Sequence, residues 1–165
     1  MALPKIIILG AGLGGTIAAY EIRDAVKGKA DVMVVNDQDD YWFVPSNPWV
    51  AVRWRDPDAI KVHLPPIMEK KGIAFTSIGA KRVHPAENRV ELNNGTSLDY
   101  DYLVIATGPE LAFDEVAGLG LDGFTQSICR TDHAAHAADA FDRFCEDPKP
   151  IVVGAAQGAS CYGPA

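Results

Sequence analysis

The chain has 165 residues, 48% of them apolar and 22% charged, with a formal net charge of −7 and three cysteines. That balance supplies enough apolar material for one domain with its own core and lies far from disordered compositions. It also excludes several classes: the acidic charge without a Lys/Arg block argues against nucleic acid, no apolar run is long enough to span a membrane, and Cys129, Cys145 and Cys161 are too scattered for a disulfide scaffold or a zinc site, so no metal is expected.

Met1-Ala2-Leu3-Pro4-Lys5 carries no signal-peptide pattern and leads straight into Lys5 to Leu9, a β-branched run. That run meets Gly10-Ala11-Gly12-Leu13-Gly14-Gly15 and continues as a helical pattern to about Val26. A second apolar strand, Asp31 to Val35, follows Gly28, which predicts a βαβ unit with a parallel pair and a right-handed crossover. Residues 38–57, rich in aromatics and prolines, read as a long irregular loop, of the kind that is functional or mobile. A helix near Pro66 to Lys71 and a strand at Ile73 to Ser77 come next. Strand pieces at Arg82-Val83 and Arg89 to Leu92 flank the turn Pro85 to Asn88, and Asn93-Asn94-Gly95 is a hairpin signal.

Tyr100 to Ile105 reads as a buried strand ending at Ala106-Thr107-Gly108-Pro109, and residues 110–128 as a glycine-rich loop. Thr131 or Asp132 is expected to cap a helix to about Cys145, which Pro148 and Pro150 end ahead of a last strand, Ile151 to Val153. Strand, glycine turn and helix therefore occur twice, at 5–26 and 151–165. The expected fold class is α/β: a Rossmann-like dinucleotide-binding domain over 1–110, with a parallel sheet and an antiparallel β-meander, followed over 111–165 by a connection and the start of a second Rossmann-like domain.

Gly10, Gly12 and Gly15 stand where a dinucleotide fingerprint needs them, after a strand and at the opening of a helix. Gly10 permits the tight turn, Gly12 lets a pyrophosphate approach the backbone, Gly15 lets helix and strand pack, and the helix N-terminus offers free N–H groups to phosphate. A glycine turn that merely packs is the alternative. At the tip of the second strand Asn36 and Asp37 are candidates for the ribose, the carboxylate arriving one position late; a solvated turn is the plainer reading.

Cys161 follows Gly158-Ala159-Ser160 near a helix start, where the dipole favours a thiolate; without further support it reads equally as a small buried residue. Cys129 lies just ahead of the expected helix cap, with packing as its alternative role. His133 falls in the first turn of that helix, where the dipole disfavours an imidazolium; an acid/base or hydrogen-bonding role competes with a surface or core one. Cys145 has no motif and reads as structural. Trp42, Trp49 and Trp54 read as packing for the long loop rather than as a stacking platform.

Five stretches together resemble the sulfide:quinone oxidoreductases. They are the N-terminal glycine turn, Phe43-Val44-Pro45-Ser46-Asn47-Pro48-Trp49, Asp101 to Pro109, Ser127-Ile128-Cys129 with Asp132-His133-Ala134, and Gly158-Ala159-Ser160-Cys161-Tyr162-Gly163-Pro164-Ala165. The resemblance implies an FAD protein with two dinucleotide-binding domains that oxidises sulfide to polysulfide or sulfur and passes the electrons to a membrane quinone. It implies FAD contacts at Gly10, Ala11, Gly12, Leu13 and Gly14 for the pyrophosphate, Asn36 and Asp37 for the ribose, Ala80 for the adenine, Val44, Pro45 and Ser46 on the flavin side, and Thr107. It implies redox cysteines at Cys129 and Cys161 with His133 near the sulfur site. It further implies peripheral association with the cytoplasmic membrane through sequence beyond Ala165, where the third family cysteine, the quinone pocket and the rest of the FAD site would lie, and a homo-oligomer is expected.

Two other readings stay open beside it. One is a related flavoenzyme, either a flavocytochrome c sulfide dehydrogenase or a type II NADH dehydrogenase. The second turn, Gly154-Ala155-Ala156-Gln157-Gly158, disfavours NAD(P)H, because a methyl at Ala156 intrudes where a pyrophosphate must approach. The other is a non-catalytic FAD-binding fragment, and these 165 residues alone are expected to have no turnover.

Overall fold

The computed structural model describes residues 2–154. The opening strand β1 (Lys5–Leu9) runs through the glycine turn into α1 (Leu13–Val26), which returns the chain to β2 (Asp31–Val35), parallel to β1 with Ile8 opposite Val34. Lys27 ends α1 in the left-handed conformation at φ 49°. An excursion follows, made of β3 (Asp40–Trp42), a 3-10 turn at Val44–Ser46, α2 (Asn47–Ala51), a second 3-10 turn at Pro57–Ile60, and β4 (Lys61–His63), which pairs antiparallel with β3.

The chain then re-enters the sheet through α3 (Pro65–Lys71) and β5 (Ala74–Thr76), parallel to β2. An antiparallel meander comes next: β6 (Ala80–His84), β7 (Arg89–Leu92) and β8 (Ser97–Asp99). It delivers β9 (Tyr102–Ile105) to the far side of β1, again parallel. The sheet order is therefore β5-β2-β1-β9, the first half of a doubly wound fold, with the meander as the crossover from third to fourth strand. A loop with a 3-10 turn at Phe113–Glu115 leads to α4 (Thr131–Glu146).

Burial explains why these residues form these strands. A parallel strand covered on both faces is apolar along its length, and successive side chains point to opposite faces. Ile8 joins Val32, Val34, Ala19 and Met68 beneath the helices, whereas Ile7 and Leu9 join Val35, Val90 and Leu92 beneath the meander. One strand thus feeds two cores.

The sequence expectations fail at four places. Residues 38–57 are not irregular, since β3, α2 and the 3-10 turns fill most of the stretch, held by backbone bonds such as Phe43 N–H to the Ile60 carbonyl at 2.9 Å. The strand expected to be buried over Tyr100 to Ile105 is shorter and lies at a sheet edge, so Tyr102 and Ile105 are 63% and 65% exposed. Neither Thr131 nor Asp132 caps α4: Arg130 holds the cap position without a side-chain bond, and the Thr131 hydroxyl donates instead to Asn47 Oδ1 at 3.0 Å. Ile151 to Val153 form no strand, because no described neighbour pairs with them, and all three are exposed.

Ile8→Ala is expected to cost about 2–5 kcal/mol, because a fully buried side chain leaves a cavity between α1 and the sheet. Ile105→Ala, at the exposed edge, should stay within about 0.5 kcal/mol. Urea unfolding of the two variants beside the parent chain measures the difference.

Candidate functional site

All four sheet strands are parallel, so their C-terminal ends share one edge, and every described dinucleotide-site candidate lies along it or in the excursion beside it. Ligands of open α/β sheets bind outside this edge, where the strand order reverses, which here is between β1 and β9. Gly10 leaves β1 at φ +92°, and a Cβ there would lie 2.8 Å from the Ala106 carbonyl carbon and 2.9 Å from Thr107 Cα. A Cβ on Gly15 would collide with the Gly10 carbonyl. These two glycines let three backbone segments touch, which brings Thr107 beside the turn.

Gly12 and Gly14 have a different reason to be glycine. A Cβ on either meets nothing within 4 Å among the described residues, so packing there does not demand the missing side chains. Gly12 is the cap residue of α1 and offers no side-chain cap, so the first-turn N–H groups stay open toward the edge. An open, uncapped helix start is the cradle a pyrophosphate takes.

Asn36 is spent on shaping that cradle. Its Oδ1 accepts the Ala11 N–H at 2.9 Å, and its Nδ2 donates to the Gln38 carbonyl at 2.8 Å. Its backbone joins β5 and the turn after it, the N–H to Thr76 and the carbonyl to the Gly79 N–H. The exposed Asp37 carboxylate is the freer group for a ribose. Ala80, also exposed, follows Gly79 directly and so lies at the same corner.

The excursion beyond β3 brings Val44 and Pro45 to the surface but not Ser46, which is 0% exposed. The Ser46 hydroxyl accepts from Arg55 Nη1 at 2.8 Å, and the Arg55 guanidinium stacks 4.3 Å over Trp49. Trp49 thus takes part in the excursion's packing through Arg55 although it is 39% exposed, and Trp54 is 77% exposed.

Asn47, 1% exposed, donates from Nδ2 to the Ile128 carbonyl at 3.0 Å and accepts the Thr131 hydroxyl. Arg53 forks to Asp139 and Asp142 on α4, and Val50, Ile60 and Ala134 pack between the two helices. The excursion thereby carries the segment with Cys129 and His133. The contacts of Asn47 and Arg53 have no signal in the sequence, because their partners lie 81 to 89 residues away, whereas Arg55 reaches Ser46 only 9 residues back.

Cys129 is exposed, its N–H bonded to Ser127 Oγ at 3.2 Å. Cys145 is exposed as well, so the structural role expected for it has no packing behind it. His133 packs on Phe113 at 5.6 Å between ring centroids, and its buried Nδ1 has no hydrogen-bond partner among the described residues. Burial pushes the Asp132 carboxyl up, but the Arg130 guanidinium and the His133 backbone N–H hold it below the usual value. Its folded-state pKa being lowered, the stabilisation is present above the unfolded pKa and lost as pH falls through the folded one. Cys161 and Ala156 lie outside the described residues. Among the described residues no three potential metal ligands cluster, and no helix is long and apolar enough to cross a membrane.

Residues 4–157 match the family described as pyridine nucleotide-disulphide oxidoreductase. The chain belongs to that family. Within the pyridine nucleotide-disulphide oxidoreductases it is 34% identical over 160 residues to a sulfide-quinone reductase of Aquifex aeolicus, covering 97% of this chain and 36% of the relative. It is 31% identical over 132 residues to a mitochondrial sulfide:quinone oxidoreductase of Dictyostelium discoideum, covering 74% of this chain and 28% of the relative. The solved structure of the Aquifex aeolicus sulfide:quinone oxidoreductase superposes with a TM-score of 0.82 at 31% identity, over 88% of this chain and 33% of that one. The chain thus spans about a third of the length of these relatives.

Gly15→Ala should destabilise the chain severely, because the added methyl collides with backbone at the β1 turn. Gly12→Ala should cost no more than about 1 kcal/mol, the loss of a good cap residue, while weakening dinucleotide binding. Thermal melts with and without the dinucleotide separate the two effects. For Asp132, Arg130→Gln should move its titration up toward that of an ordinary carboxylate, read by NMR.

Proposed function

We propose that this chain is the FAD-binding opening of a sulfide:quinone oxidoreductase, in which hydrogen sulfide loses two electrons and two protons to become sulfur, carried as polysulfide, and a quinone takes them up to become the quinol. The observation that carries the cofactor assignment is the pair of glycines, Gly12 and Gly14, whose side-chain space is empty at an uncapped helix start. Residues 1–110 form the dinucleotide-binding part and residues 111–165 the connection and the start of a second such domain.

FAD, when bound, supplies a two-electron acceptor for sulfur and a donor for quinone. The chain's residues hold and orient it. The N–H groups opening α1 take the pyrophosphate, with Gly10, Ala11 and Leu13 shaping the turn and Asn36 fixing its path. Asp37 with Asn36 takes the ribose, the Ala80 backbone the adenine, and Val44, Pro45, the Ser46 backbone and Thr107 the flavin side. The sulfur chemistry falls to Cys129 and Cys161, with His133 keeping an unpartnered Nδ1 for a proton or a sulfur species; leaving a buried polar atom unpaired costs about 1–3 kcal/mol, which a functional group justifies. Peripheral membrane association and the quinone pocket are assigned to sequence beyond Ala165, and sulfide and quinone are the partners. The names of the relatives support this substrate pair.

The test uses the full-length polypeptide. Anaerobic sulfide should bleach the oxidised flavin bands; persistence of those bands under excess sulfide sinks the proposal, and bleaching by NADH instead would favour an NADH dehydrogenase. Cys129→Ser and Cys161→Ser should each lower sulfide-dependent quinone reduction by about a thousandfold or more with FAD content retained.

A further inference from the structure

We infer that Asn47 is a positioning residue for Cys129, and through it for the sulfur chemistry; this rests on the functional reading above. Its side chain is almost wholly buried, and it makes two hydrogen bonds to one short stretch of chain. The Nδ2 group donates to the carbonyl of Ile128, the residue before Cys129, and Oδ1 accepts from the hydroxyl of Thr131, two residues after it. A single amide therefore brackets the cysteine from both sides, while the thiol itself stays exposed.

The bracket is stiff because its base is held. Asn47 opens α2, whose C-terminal side is tied to α4 by the fork from Arg53 to Asp139 and Asp142, with Val50, Ile60 and Ala134 packed between. The preceding residue, Ser46, is buried and gripped by Arg55, which is itself stacked on Trp49. Val44 and Pro45, assigned to the flavin side, are only three and two residues from Asn47. The residue that fixes Cys129 is thus fixed in turn to the segment assigned to the flavin. A reacting group displaced by about 1 Å loses on the order of a hundredfold in rate, so a buried polar bracket at this point bears on chemistry as well as on stability. A purely apolar residue at position 47 would pack α2 on α4 but specify no position for the Cys129 span.

The variants are Asn47→Ala, Thr131→Val, which removes one arm of the bracket and keeps the other, and Thr131→Ser, which retains the hydroxyl. Amide hydrogen exchange is read by mass spectrometry for peptides covering 127–131 and, as control, 139–146. Asn47→Ala should speed exchange at 127–131 by tenfold or more with the control unchanged, Thr131→Val by less, and Thr131→Ser should stay close to the parent. In the full-length flavoprotein kcat for sulfide oxidation should fall at least tenfold in Asn47→Ala, with the quinone KM within twofold and Thr131→Ser near the parent.

Equal loosening of both peptides, or exchange within twofold of the parent, overturns the inference. So does a kcat that follows only the fraction of folded protein. If Asn47→Ala does not fold, the Thr131 pair decides by the same criteria. Should the parent show no sulfide oxidation, the functional reading falls, and the exchange arm still decides whether Asn47 holds the Cys129 span.

Discussion

The backbone contact at the end of β1 is the constraint on which the rest of the structure depends. Gly10, Gly15 and the Ala106-Thr107 peptide approach so closely that side chains at the two glycines are sterically excluded. That contact sets the angle at which α1 leaves the sheet, the height of its open N-terminus, and the place where β9 must end. The two cores then follow from β1 itself, Ile8 facing one way and Ile7 and Leu9 the other. The meander is accommodated because its Val90 and Leu92 supply the second face that a helix would otherwise cover.

Much of this was legible in the sequence. The glycine spacing after a β-branched run located the turn, and local apolar patterning located β1, α1, β2, α3, the meander hairpins and α4. What stayed hidden has a common physical form. Edge or centre position for β9 depends on which strands neighbour it, which an apolar run does not encode, so Tyr102 and Ile105 read as buried. Likewise Ile151 to Val153 have strand-like composition, but composition supplies no partner.

The excursion between β3 and β4 was the least readable part and became the most informative. Its short elements are defined by contacts made far along the chain, such as Asn47 with Ile128 and Thr131, and Arg53 with the α4 carboxylates. Ser46 is enclosed and bound by Arg55, a contact that local patterning does not announce. Asn36 bonds the glycine turn through its side chain, and the carboxylate of Asp37 beside it is exposed.

The pairing of β1 with β9 has a kinetic side. Lys5 and Asp101, joined at 2.7 Å across the start of this pair, are 96 residues apart, so the whole meander and excursion must be closed into one loop before the two strands meet. Chains dominated by such distant pairings fold slowly, since loop closure is opposed by entropy before any contact rewards it. Thr107 reaches Gly10 only when that closure is complete. That sheet edge is therefore complete only once this closure has been made, and a ligand that binds it draws the population toward the native state by mass action.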